Sequence, residues 1–298
     1  MEPAAAASLV LDRPLDLRPT LGTIGHGPAL RIDGREAWRA TLTPEGPATI
    51  HLRHTGDRVE VEAWGTGAGW AVARAGALCG QEDDDAAFRP AHRVIADLHR
   101  RHPGARLPKT SAVFEALVPD VIGQKVTTVE AHRSYRELVN ALGEPAPGPV
   151  RMKVPPGAAV LSRTPYWRFH GFGIERRRAE VIITAARSAK RLEETLAMSP
   201  IAARARLEAF PGVGPWTSAK VAMVALGDPD AVPVGDYHLA HSVGYLFEGT
   251  VRSTDERMLE LLEPYRGQRG RVVRLITLGG ISAPRFGPKL PLRNIADH

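Results

Sequence analysis

LEAFPGVGPWTSAKVAMVALGDPDAVPVGDYHLAHSVGYLF, residues 207–247, is the stretch on which the reading of this chain turns. Leu207 and Phe210 close one helical stripe. Pro211-Gly212-Val213-Gly214 then makes a tight hairpin, and Pro215 opens a second helix at a position where a missing N–H costs nothing. The glycines flanking Val213 permit positive φ and leave backbone N–H groups uncovered. With the helix start that follows, those N–H groups form a seat for a phosphate. Many helical hairpins turn on glycine, so the hairpin alone decides little. Some twenty residues later, Val-Pro-Val-Gly-Asp236-Tyr-His delivers one carboxylate to the start of another helix. Asp236 either caps that helix or serves a reaction, and the two roles are compatible.

Outward from this stretch the chain divides in two. EAWRATLT, ATIHLRH and RVEVEAW, within residues 30–65, alternate with period two and are separated by Pro-Glu-Gly-Pro and Thr-Gly-Asp turns, which predicts half-buried antiparallel strands. A helix is expected near 70–79. Beyond Arg89 the pattern is helical, with stripes through Val94, Ile95 and Leu98, through Val113, Leu117, Val121 and Ile122, and through Tyr135, Leu138, Val139 and Leu142. Residues 143–157, GEPAPGPVRMKVPPG, are too rich in breakers for regular structure. The expected class is α+β: an antiparallel sheet domain over 1–88, an all-α core in two lobes over 89–282, and a basic, Pro-rich tail over 283–298.

The 298 residues contain a single cysteine, Cys79, which excludes an internal disulfide and a cysteine-ligated zinc or iron–sulfur site within this chain. Neither a signal peptide nor an apolar run of membrane-spanning length is present, so a soluble, cytoplasmic protein without membrane contact is expected. Charge is uneven. Residues 1–100 hold 11 Arg and no Lys against 14 Asp and Glu, whereas residues 101–298 carry a net +9. Such an excess suits a polyanionic partner, although an Arg-rich composition would give it too.

With the hairpin and the Asp236 turn at this spacing, the sequence resembles the helix-hairpin-helix DNA glycosylase superfamily, most closely its bacterial 3-methyladenine DNA glycosylase II branch. FEALVPDVIGQKVTT (114–128) is similar to the family's Ile-x-Gly-Gln segment, and FHGFGIERRRAEVI (169–182) to its Gly-x-x-x-Lys/Arg-Arg-Ala-Glu helix start. The likeness covers about 110–280, and more loosely the strands resemble the TATA-binding-protein-like sheet of that branch. It implies base excision repair: a damaged base, an alkylated purine above all, is flipped from duplex DNA and hydrolysed off by a monomeric enzyme. Asp236 is then the catalytic carboxylate, stabilising the oxocarbenium-like sugar and orienting water. Trp216 stands where lyase-active members carry a lysine, so no lyase activity is expected.

The resemblance also makes Trp216, Tyr237 and Lys220 pocket residues, against the simpler reading of packed aromatics and a surface lysine. It gives DNA contact to Gln124, Lys125, Gly212, Val213, Gly214 and Thr217. No cofactor is required; a monovalent cation, Na⁺ or K⁺, on backbone carbonyls around Phe210 and Val213 is implied. Lys220 and Lys125 depart from the branch pattern, which is aromatic at the first position and an apolar wedge at the second. Two alternatives stay open: another lesion (an oxidised purine, hypoxanthine or uracil), or a non-catalytic DNA-damage binder. His238 and His241 lack the further ligands of a metal site. Arg176–Arg178 and Arg266, Arg269, Arg271 and Arg274 read as solvated helix faces or DNA-backbone contacts.

Overall fold

The structure, a computed structural model, describes residues 1–25 and 27–284. The expected tail therefore lies outside the described residues from position 285 onward. Among the described residues, β1 (Ala5–Val10), β2 (Leu30–Asp33), β3 (Glu36–Thr43), β4 (Gly46–Thr55) and β5 (Arg58–Trp64) form one antiparallel sheet in the order β1-β5-β4-β3-β2. Register follows from the alternation: Leu52 faces Val61 and Ile50 faces Ala63 across β4 and β5. These residues bury one face against α1 (Leu17–Leu21), α2 (Ala68–Ala73) and α3 (Ala75–Leu78), where small alanines let the helices lie close. On the other face Trp38 stacks on His51 at 3.8 Å and on Trp64 at 5.5 Å between ring centroids.

The helical part holds two further cores. In the first lobe α5 (Val113–Ile122) is the central element, following α4 (Arg93–Arg101) in the chain. Six of its ten residues are buried, including Val113, Leu117 and Val121. Around it pack α6 (Thr128–Leu142), α7 (Ala158–Leu161), α8 (Tyr166–His170), α9 (Arg176–Arg187) and α10 (Ala189–Glu193), with α11 (Pro200–Glu208) and α12 (Pro215–Val221) completing the lobe. The second lobe collects α4, α13 (Leu239–Glu248), α14 (Asp255–Leu262) and α15 (Arg269–Leu278) around Ile95, Leu98, Val243, Met258 and Val272. Glu115 of α5 fastens the sheet to the first lobe, accepting from Arg39 and from Thr41 Oγ1, each at 2.7 Å.

Three sequence expectations need correction. Residues 143–157 are not wholly irregular: Glu144–Pro145 pairs with Lys153–Val154 as a two-residue antiparallel ladder. The strand β1 lies in a stretch whose Ala-rich alternation gave no strand signal. The arginine runs are only partly solvent-facing. Arg178 donates to the Ile122 carbonyl, Arg271 pairs with Asp83, and Arg274 donates to the Thr20 carbonyl, all three being buried. Buried guanidiniums in such pairs join elements and are not presented to a phosphate.

Candidate active site

The hairpin is built by opposed demands on its two glycines. Gly212 has φ +85°, and a Cβ there would lie 2.3 Å from Val181 Cγ2, so only glycine fits. Gly214 has φ −103° and open space where a side chain would go, so the fold does not require glycine at that position. Val213 is buried as the plug between them, its N–H bonded to the Phe210 carbonyl at 3.0 Å. Ser218 donates to Glu208 at 2.6 Å and ties α12 back to α11.

Asp236 is held by hydrogen bonds at both of its carboxyl oxygens. Its Oδ1 accepts from the backbone N–H groups of His238 and Leu239, each at 3.0 Å, and so closes the turn that leads into α13; the N-cap position itself is His238, which corrects the expected capping role. Its Oδ2 accepts from Trp216 Nε1, also at 3.0 Å. Trp216 belongs to the first lobe's hairpin and Asp236 to the turn that opens the second, so this bond crosses between lobes. Three N–H donors hold the carboxyl as an acceptor and fix its orientation. The far edge of the indole lies over Gly123, where an added Cβ would sit 3.6 Å from Trp216 Cη2.

The other expected site residues divide. Lys220 Nζ lies 5.9 Å from the centroid of the Trp216 ring and 3.9 Å from Asp120 Oδ1, so it stands beside the tryptophan and not on an isolated surface. Tyr237 is 79% exposed and packs edge-on against His238 at 4.8 Å, standing out in solvent instead of walling a pocket. Gln124 spends its amide nitrogen within the protein, donating to the Gly212 carbonyl and to Thr217 Oγ1, each at 2.9 Å. Thr217, expected at the DNA, is only 2% exposed, and its hydroxyl accepts from Gln124 inside the protein. Lys125 is exposed at the tip of the α5–α6 loop with φ +57°, a left-handed conformation uncommon for a side-chain-bearing residue.

Asp120 was absent from the sequence reading. It is the charged residue in the last turn of α5, four positions before Gln124, with its side chain 17% exposed. Burial pushes its carboxyl up to about 6, against the pull of Lys220. That spacing in an apolar stripe was the available signal.

A monovalent cation at the hairpin would have backbone oxygens alone to bind. The Phe210 carbonyl already takes the Val213 N–H and the Gly212 carbonyl takes Gln124, each keeping a second lone pair. Among the described residues no group of three or more His, Cys, Asp and Glu could hold a metal, and no helix is long and apolar enough to cross a membrane.

No family model matches the chain. A Mycobacterium tuberculosis protein named "Probable bifunctional transcriptional activator/DNA repair enzyme AlkA" is 30% identical over 242 residues, 73% of this chain and 47% of that protein. The chain spans about half the length of the curated relatives it matches. Among solved structures, a 3-methyladenine DNA glycosylase from Archaeoglobus fulgidus superposes with a TM-score of 0.76 at 20% identity, covering 91% of this chain and 97% of the other. A Clostridium acetobutylicum 8-oxoguanine glycosylase/lyase, in complex with duplex DNA containing cytosine opposite 8-oxoguanine, gives 0.70 at 12% identity over 93% and 97%.

Proposed function

The chain has the helix-hairpin-helix DNA glycosylase fold and an AlkA-like sequence, and on that premise we propose that it hydrolyses the N-glycosidic bond of a damaged base, an alkylated purine, flipped out of duplex DNA. The observation that carries the reading is the Trp216–Asp236 hydrogen bond. It puts a stacking surface and an oriented carboxylate at one place between two lobes. Base-flipping enzymes need both, because the extruded base must stack on an apolar face while its sugar becomes positively charged. Asp236 stabilises that charge without having to reorganise and accepts a proton from the attacking water. Lys125, exposed on its loop, is placed to meet the DNA backbone, and Gln124 braces that loop to the hairpin. The hairpin N–H groups at Gly212 and Gly214 hold one phosphate, with a monovalent cation on the Phe210 and Val213 carbonyls as a structural aid. The reading is of a monomer working in the cytoplasm on nucleoid DNA.

The fold is shared with the Clostridium acetobutylicum 8-oxoguanine glycosylase/lyase, which keeps an oxidised purine as the second reading. Release of free base from duplexes carrying single defined lesions separates the two. Asp236→Asn should lower that release by ~10²–10³ while leaving DNA affinity intact, because it removes charge but almost no volume. Excision near the wild-type rate would place catalysis on another group.

A further inference from the structure

The Trp216 indole has the Asp236 carboxylate at its Nε1 end and the last turn of α5, which carries Asp120, at the other. Nε1 points at Asp236, and the opposite ring edge lies over Gly123 at the end of α5, three residues after Asp120. Lys220, one helical turn beyond Trp216 on α12, brings its ammonium over the same ring and to 3.9 Å from Asp120. A base stacked on that ring would lie near both Asp236 and Lys220, and Lys220 is paired with Asp120.

The two carboxyls are built for opposite tasks. Asp236 receives three N–H donors, an arrangement that suits an acceptor. Asp120 lies on α5 between the buried Val118 and Val121, its own side chain 17% exposed, and Lys220 is the charged group that faces it. The other charges packed around α5 are engaged elsewhere. Glu115 binds Arg39, Glu193 accepts from the N–H groups of Val113 and Phe114, and Arg178 donates to the Ile122 carbonyl. Such surroundings disfavour the ionised form, and burial accordingly pushes the Asp120 carboxyl up to about 6, within reach of proton transfer near neutral pH.

We propose that Asp120 is the proton donor to the departing base, held at the edge of the Trp216 platform by Lys220, and that the site is thereby fitted to neutral lesion bases and not to bases already carrying positive charge. This rests on the glycosylase reading above. In the reaction the C1′–N bond breaks and its electron pair goes to the base. The Asp120 proton passes to a ring nitrogen or carbonyl oxygen of that base, which leaves neutral. Water adds to C1′ and gives its proton to Asp236, and solvent returns one proton to Asp120 as Asp236 releases one. A cationic base needs no such proton, and the Lys220 ammonium repels it from the ring.

The test compares single-turnover release of two neutral bases, hypoxanthine and 1,N6-ethenoadenine, with that of 7-methylguanine, which is cationic in DNA. Wild-type release of the neutral bases should decline as pH rises above about 6, and release of 7-methylguanine should not. Asp120→Asn should slow neutral-base release by ~10²–10⁴-fold and 7-methylguanine release by less than about tenfold. Asp120→Glu should recover part of the loss, and thermal melts establish that each variant is folded. Equal loss on both substrate kinds, or a neutral-base rate independent of pH and of Asp120→Asn, overturns the proposal. If the wild type releases only 7-methylguanine, the proposal fails while the glycosylase reading stands. If no lesion in a broad panel is released, the glycosylase reading itself has failed.

Discussion

Gly212 and Gly214 look equivalent in a string of letters and are not equivalent in space. Gly212 is required by its own fold, through positive φ and the Val181 contact. Gly214 faces open space, so whatever needs its missing side chain lies outside the chain. Gly212→Ala should therefore destabilise the protein by about 1–3 kcal/mol, read by thermal or urea melting. Gly214→Ala should change stability by no more than about 0.5 kcal/mol. It should nonetheless weaken binding to damaged and undamaged duplex alike, and flatten the salt dependence by ~1 in log–log slope if one phosphate contact goes. A Gly214→Ala protein that binds both duplexes normally reduces the hairpin to a connector. At this scale residue types and their spacing were legible in the sequence, Asp236 and Trp216 above all. It did not disclose Asp120, whose meaning comes from burial and from a lysine 100 positions away, nor that Thr217 is inside.

The expected absence of lyase chemistry belongs to the scale of elements. On α12 Trp216 stands where the family resemblance leads one to expect lysine in lyase-active members, and the next amine along the helix, Lys220, is paired with Asp120. An amine that carries its proton as an ammonium has no lone pair with which to attack. Borohydride reduction during turnover should accordingly trap no covalent protein–DNA adduct on denaturing gels; a trapped band would show that an amine reaches C1′. The hairpin and its helices were readable because glycine and proline punctuate them and apolar spacing fixes their faces. The α5–α6 loop was readable only as a motif. Its shape depends on Arg178 holding the Ile122 carbonyl and Gln124 bridging to Gly212, contacts between segments far apart in the chain.

Across the whole molecule, Asp83 is where the parts are joined. It accepts from Arg271 of α15, from Arg13 beside the sheet and from the Leu107 N–H. Burial works to raise its pKa, but these partners outweigh it and hold the carboxyl below its ordinary 3.8. A group with a lowered folded pKa stabilises the fold above its unfolded value and loses that contribution as pH falls through the folded one. Asp83→Asn should cost ~3–5 kcal/mol at neutral pH, because it strands a buried guanidinium. It should also reduce the loss of stability that the wild type suffers between neutral pH and pH 3. Equal melting temperatures at pH 7 would remove Asp83 from the join. The sequence showed here only an acidic turn, Glu82 to Asp85, with nothing to mark one member as interior. The alternating strands β3, β4 and β5 were legible, whereas β1 was hidden because its inward positions include Ala5 and Ala7, which are too small to stand out.

The join also has a history. A ribosome delivers this chain from its amino end, so the sheet and Asp83 emerge long before Arg271, 188 positions later. The Thr20 carbonyl waits longer still for Arg274, across 254 positions. Until α15 is released, a nascent chain has at its seam an acid partnered only by Arg13 and the Leu107 N–H, and an open second lobe. Contacts of such range form late and leave that surface exposed meanwhile. A prematurely terminated product lacking residues 269–278 is thus marked for proteolysis by its own missing partner, and only the finished polypeptide closes over the mark.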